Sequence, residues 1–279
     1  MISIIICSTS NQINEIQKRN IEETIGVKYE IILIDNSNNK YNIFQAYNLG
    51  VQKAQYPYLC FCHEDICFRN NNWGKKLVSD FDNNDEIGLI GVIGIKLLPK
   101  YPFGWWAAGH KYYVGKIIAN NNKRKMKTGS KDIIINNNGL HDGVACDGLF
   151  FAIPKALFSQ IRFDETTYTG FHCYDLDICM QVLQINKRIK ISDNILIEHY
   201  STGNPTETFS YNCYLFHKKW NNKLPVYTKD VNLKEINKVQ DQIIKEIYED
   251  KPLAIRYRHL SSNKIYNVIY KLIKIIKRL

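Results

Sequence analysis

Residues 46–66 read AYNLGVQKAQYPYLCFCHEDI. Ile43, Ala46, Tyr47, Leu49 and Val51 fall at helical spacing, up to about Ala54. Tyr58 to Cys62 is then a short apolar run that stops at His63-Glu64-Asp65, as a buried strand does where it reaches the surface. The same alternation holds on both sides of this stretch. Upstream, Ser3 to Cys7 reads as a buried strand closed by the polar turn Ser8, Thr9, Ser10 and Asn11, and Ile13, Ile16 and Ile21 mark a short amphipathic helix. Tyr29 to Ile34 is a second strand that ends at Asp35-Asn36-Ser37. Downstream, a short helix over Trp73 to Phe81 leads to a strand from Ile87 to Ile95. Short strands alternating with helices predict a parallel sheet with right-handed crossovers, whose ligands bind outside the carboxyl ends of the strands. Ser8-Thr9, Asp35-Asn36-Ser37 and His63-Glu64-Asp65 all sit at those ends, which makes a nucleotide site plausible there.

After Pro99 the pattern changes. Tyr101 to Gly109 is aromatic and glycine-rich, and Asn120 to Lys131 is a polar, basic loop. Val144 to Ile153 is apolar and ends at Pro154, with a helix from Lys155 to Ile161. Asp175 to Gln184 reads as a helix with Ile178, Val182 and Leu183 on one face, and Ile189 to Glu198 as a strand that ends at His199. Helices follow over Val231 to Ile247 and Ile265 to Leu279.

The composition is that of a globular protein: 279 residues, 45% hydrophobic, with only 15 Gly and 7 Pro, which excludes a collagen-like or disordered chain. No apolar run reaches the roughly 18–20 residues of a spanning helix. Met1 to Ile6 lacks a basic segment before it and is expected to be a strand rather than a signal peptide, so a cytoplasmic location is expected. The 8 cysteines lie mostly in apolar runs without zinc-knuckle spacing, and Cys60 and Cys62 are expected on one side of their strand. The net charge of +10 is concentrated in the tail, where Lys251, Arg256, Arg258, Lys264, Lys271, Lys274, Lys277 and Arg278 occur without an acid. On the last helix Lys264, Asn267, Lys271, Lys274 and Arg278 form a polar stripe suited to an anionic membrane surface; packing on the body or on a second subunit is the alternative. Nucleic acid is not expected as a partner.

Several residues can carry chemistry. Asp65 could hold a divalent cation against a diphosphate, or be a solvated turn. Asp175 and Asp177 could cap a helix or present a general base. His199 could be a ligand or a surface residue. Trp105 and Trp106 offer aromatic faces for an acceptor sugar. A Gly-rich phosphate loop is absent after the first strand, which argues against a nucleotidyltransferase.

The stretches ISIIICSTSN, IILIDNS, AYNLGVQKAQYPYLCFCHEDI, IGLIGVIG, CDGLFFAI, FDETTYTGFHCYDLDICMQ and IEHYSTG follow one another between residues 2 and 203. In that order they resemble the family 2 glycosyltransferases, in the subgroup with His-x-Asp in place of Asp-x-Asp. The resemblance implies an α/β GT-A fold, with a mostly parallel, Rossmann-like sheet flanked by helices, assigned to residues 1–225; the basic helical C-terminal extension over 226–279 is read from the charge and periodicity of the tail alone. It implies Ser8, Thr9, Asp35 and Ser37 around the nucleotide base and ribose, with Glu64 among the donor-binding residues. Asn48, with Gly50, would pack near the diphosphate, and Asp147 and Gly148 would contact the donor sugar or the acceptor. Asp65 would bind Mn2+ or Mg2+, with His63 in the place of the family's first acid and His199 as an added ligand. Asp175 would be the catalytic base and Asp177 the acid that follows it. The implied activity is inverting transfer from a nucleotide-sugar donor, UDP by family habit, to a glycan, lipid-linked or protein acceptor; the basic tail adds the expectation of a peripheral position at the inner face of the cell membrane. A catalytically inactive sugar- or nucleotide-binding module is the alternative, favoured only by His63.

Overall fold

The computed structural model describes residues 1–100, 104–120, 126, 139–201 and 207–249. Apart from Met126, the basic loop over residues 123–127 lies outside the described residues, as do the tail from Lys251 and its last helix. Seven strands form the main sheet: β1 (Ile2–Ser8), β2 (Tyr29–Asp35), β3 (Tyr58–Cys62), β5 (Ile87–Gly91), β10 (Leu140–Gly143), β12 (Phe150–Pro154) and β13 (Arg188–Ser192). Their order is β10-β13-β5-β12-β3-β1-β2. Five point the same way; β12 runs antiparallel to both its neighbours, and β10 is antiparallel to β13. The sheet is therefore mixed but mostly parallel in direction.

Burial on both faces explains the continuous apolar strands. Along β1, Ile2, Ile4 and Ile6 enter one core while Ile5 enters the other. Along β3, Cys60 and Cys62 face the first of these cores, with Leu59 and Phe61 in the second. Helices α1 (Glu15–Thr24) and α3 (Trp73–Asp82) cover the first core, and α2 (Ile43–Lys53) and α4 (Tyr174–Gln184) cover the second. Asn42 and Gln45 form a reciprocal capping box that starts α2. Gly50 lets α2 lie close on β1, since a Cβ there would stand 2.3 Å from Ile5 Cγ2.

Two strands expected as continuous are each divided. Ile87 to Ile95 leaves the main sheet after Gly91, and β6 (Ile93–Ile95) pairs instead with β8 (Tyr113–Gly115) and β11 (Ala145–Cys146). Ile189 to Glu198 turns at Asp193-Asn194, and β14 (Ile197–His199) pairs with β4 (Ile66–Phe68) and β9 (Ile118–Ala119). The helix expected over Lys155 to Ile161 is a 3-10 helix over Lys155–Ser159. A two-residue pairing of β7 (Leu97–Leu98) with β15 (Val226–Tyr227) ties the chain after α5 (Glu207–Trp220) back to the body. The next helix, α6 (Leu233–Glu249), sets Ile236, Val239 and Ile243 into the larger core.

Candidate active site

Register places the polar strand ends side by side. Ser8 lies opposite Asp35, Ile6 opposite Cys62, and Cys62 opposite Phe150 at the start of β12. The His63 N–H donates to the Leu149 carbonyl at 3.0 Å, carrying the β3–β12 pairing into the turn before β4. The antiparallel pairing of β4 with β14 sets His199 opposite Ile66, and the Tyr200 N–H donates to the Asp65 carbonyl at 3.0 Å. His63, Asp65 and His199 thereby converge, with ligand atoms within 4.8 Å of one another. His199 Nε2 is 3.3 Å from Asp65 Oδ1 and 3.5 Å from His63 Nδ1, and His63 Nδ1 is 3.9 Å from Asp65 Oδ1. Asp65 is 5% exposed. One carboxylate and two imidazoles fit Mn2+ better than Mg2+, which prefers oxygen throughout.

A second group adjoins the first. Cys173 adopts a positive φ of 66°, which turns the chain into α4 and brings Tyr174 and Asp175 to the loop Asp147-Gly148-Leu149. The Tyr174 hydroxyl donates to the Gly148 carbonyl at 3.1 Å, and His63 Nε2 lies 2.9 Å from the Tyr174 hydroxyl oxygen. Asp175 accepts from the Gly148 N–H at 3.0 Å and from the Leu176 N–H at 2.9 Å. Burial pushes the Asp175 carboxyl up to about 7, the negative charge of Asp147 adds to the rise, and the N–H donors oppose it. A carboxylate so poised can take a proton near neutral pH.

The other expected site residues divide. Ser8 Oγ donates to Glu64 at 2.6 Å, and the Thr9 N–H and hydroxyl donate to the same carboxylate at 3.0 and 2.8 Å. This network clamps the end of β1 to the turn that carries His63 and Asp65. Asp35 accepts from the Ser37 N–H at 2.9 Å, which holds its carboxyl below the usual range, and lines a cavity of about 320 Å3 with Asn38, Lys40 and Tyr41. Asp147 accepts from the Leu149 N–H at 2.9 Å.

Two residues are engaged elsewhere. Asn48 exchanges hydrogen bonds with the backbone of Phe163, at 2.9 and 3.2 Å, and packs α2 on that segment instead of lining the site. Asp177 is 1% exposed and accepts from Tyr168, Trp220 and Gln181, at 2.9, 2.8 and 2.7 Å, while Lys219 pairs with it at 2.8 Å. It joins α4 to α5 and does not face Asp175's partners.

Trp105 and Trp106 open the 3-10 helix Trp105–Ala108. Trp106, 37% exposed, stacks on Phe209 at 5.3 Å and 11°. His172 meets Phe209 edge-on at 5.3 Å. Phe209, His172, Tyr174 and Ser201, whose hydroxyl is 3.3 Å from His199 Nε2, are given no role by the sequence reading, although its quoted stretches contain the last three. Tyr174 and His172 stand beside Asp175 in the chain, and that proximity was the available signal.

A model of the glycosyltransferase-like family matches residues 3–229. Among solved structures, the chain is similar to GalNAc-T7 crystallised with UDP, GalNAc and Mn2+, at a TM-score of 0.53 and 14% identity over 92% of this chain. The match takes in 58% of GalNAc-T7, so this chain spans less than two thirds of that protein's length. A197 from STIV aligns at a TM-score of 0.42 and 12% identity, over 82% of this chain and 95% of its own. No curated protein matches the sequence. By its sequence over residues 3–229 the chain belongs to the glycosyltransferase-like family, on a GT-A fold.

Proposed function

We propose that the chain is an inverting, metal-dependent glycosyltransferase. Its donor is a UDP-linked sugar and its acceptor a hydroxyl of a cell-surface polysaccharide, glycolipid or glycoprotein. The observation that carries this reading is the junction of His63, Asp65 and His199 with Asp175 through Gly148, at the strand ends where such sheets take ligands. The UDP and Mn2+ in the GalNAc-T7 structure support the nucleotide and the metal.

Asp65, His199 and His63 would hold the divalent cation, which when bound would neutralise charge developing on the departing diphosphate. Asp175 takes the proton of the acceptor hydroxyl as that oxygen attacks the anomeric carbon from the face opposite the leaving group. One such displacement inverts the configuration. The Gly148 and Leu176 N–H groups fix both carboxylate oxygens, so the base needs little reorganisation when it acts. Trp106 presents an aromatic face suited to an acceptor sugar ring.

The reading places the enzyme in the cytoplasm, peripheral at the inner face of the cell membrane. The acid-free basic tail from Lys251 supports attachment to anionic lipid. No helix among the described residues is long and apolar enough to cross a membrane.

Thermal unfolding of wild type and Asp65→Ala with UDP, GDP and CDP, each with and without Mn2+, tests the proposal. A ligand at a hundredfold excess over Kd stabilises the native state by about 2.7 kcal/mol. UDP with Mn2+ is expected to raise the wild-type melting temperature and to leave Asp65→Ala unchanged. No shift of the wild type with any nucleotide would overturn the assignment.

A further inference from the structure

Besides the Tyr47 hydroxyl, from which its oxygen can accept, the Tyr174 hydroxyl meets two groups of opposite requirement. On one side is the Gly148 carbonyl at 3.1 Å, which can only accept. On the other is His63 Nε2 at 2.9 Å, which donates in one tautomer and accepts in the other. A phenol has one proton. With that proton on the Gly148 carbonyl, the oxygen accepts, and His63 Nε2 carries the hydrogen. The ring's lone pair is then on Nδ1, the atom that faces Asp65 and His199. The opposite arrangement puts a hydrogen on Nδ1, aimed at the place a cation would take, and deprives the Gly148 carbonyl of this donor.

The site is built around that oxygen. Tyr174 is 5% exposed, and the rings of Tyr47 and Phe44 meet it edge-on at 5.5 and 6.4 Å. A Cβ on Gly148 would stand 2.2 Å from the hydroxyl, so only glycine leaves it room. Gly148 then passes the connection on, because its N–H donates to Asp175 while its carbonyl accepts from Tyr174.

We infer that Tyr174 is a positioning residue that fixes His63 as an Nδ1 metal ligand and holds the ligand set in register with the loop whose Gly148 N–H holds the base. It explains how a histidine can serve in the place of the wider family's first acid: the neighbouring tyrosine selects the tautomer that ligates. The inference rests on the metal-dependent reading above.

The test is Mn2+ binding to the full chain without donor, by calorimetry and by pulsed electron paramagnetic resonance on protein labelled with 15N-histidine. Wild type is expected to bind with two histidine nitrogens. Tyr174→Phe is expected to bind about 10–100-fold more weakly, the usual cost of losing a partner behind a metal-bound histidine, with one nitrogen signal lost or altered. Equal affinity and unchanged nitrogen signals in Tyr174→Phe would overturn the inference. No Mn2+ binding by wild type would instead overturn the metal-dependent reading, and with it this role. A second measurement needs no variant: long-range 1H–15N correlation on the metal-free wild type reads the His63 tautomer. Hydrogen on Nε2 supports the inference, and hydrogen on Nδ1 overturns it.

Discussion

Asp175 and Asp177 stand two apart on one helix, and replacing each by asparagine should separate chemistry from architecture. Asp177 is 1% exposed and receives Tyr168, Trp220, Gln181 and Lys219. An asparagine amide in either orientation turns its NH2 toward at least one of these donors. It also removes the charge that strengthens the bonds, each contributing about 1.5–3 kcal/mol. Lys219 keeps Asp164 at 2.7 Å, which offsets part of the loss. The net cost is about 3 kcal/mol, or roughly 6–12 °C of melting temperature at about 2–4 °C per kcal/mol. Asp175→Asn should behave in the opposite way. Its carboxyl is held at about 7, so folding favours the neutral form and a charge there opposes folding above the ordinary carboxylate range. The asparagine NH2 faces either the Gly148 or the Leu176 N–H, a loss that relief of the buried charge offsets at pH 8, so the variant should melt close to wild type yet turn over about 10²–10⁴-fold more slowly, as the loss of a general base implies. Differential scanning fluorimetry and initial rates with a UDP-sugar, corrected for folded fraction, measure both. If Asp177→Asn keeps its melting temperature and loses turnover while Asp175→Asn keeps turnover, the base has been misassigned and the argument fails.

The turnover of the wild type should rise with pH through about 7 as Asp175 ionises, and Asp147→Asn should move that midpoint down by removing a neighbouring negative charge; kcat against pH reads both. Arg69→Ala should destabilise the fold by about 3–5 kcal/mol, because Arg69 Nη2 meets Glu198 at 2.5 Å with both side chains largely buried, and a urea titration would show it. Trp106→Ala should raise the acceptor KM while leaving UDP binding unchanged, since Trp106 stacks on Phe209 and is not among the residues bonded at the strand ends.

The strands were legible where burial is uniform and the ends are polar. β1 and β3 sit inside the sheet, so both faces are apolar and the run has no periodicity to misread. The same uniformity hid two boundaries. Gly91 and Val92 are buried and Ile93 is partly so, all within an unbroken run of apolar residues and glycine, so nothing in the hydrophobicity marks the point where β5 leaves the main sheet and β6 joins the small one. Only the exchange of pairing partners marks it. Between β13 and β14 the turn carries Asp193 and Asn194, but Ile195 and Leu196 are buried again, and the apolar pattern resumes before the reader has cause to break it.

The site shows the limit of spacing as a signal. A separation of two places side chains on the same side of a strand and about 200° apart on a helix. Cys60 and Cys62 accordingly share one core, whereas Asp175 turns to Gly148 and Asp177 turns to α5. The pair Asp175/Asp177 therefore could not have been two halves of one acid–base device, and helix geometry alone says so once the helix is accepted. What no spacing reveals is closure over long separations. His199 reaches His63 across 136 positions through two three-residue strands, and Tyr174 reaches it across 111. At three residues each, those strands are too short to show a periodicity of their own, and their register decides whether His199 meets Asp65 or turns away from it. Shifting β14 by one residue against β4 would turn His199 to the other face and bring Glu198 to Asp65, replacing an imidazole with a repelling carboxylate. The buried Arg69–Glu198 pair resists that slip by holding Glu198 against Arg69, so an ion pair outside the cluster fixes which side chain of β14 meets Asp65.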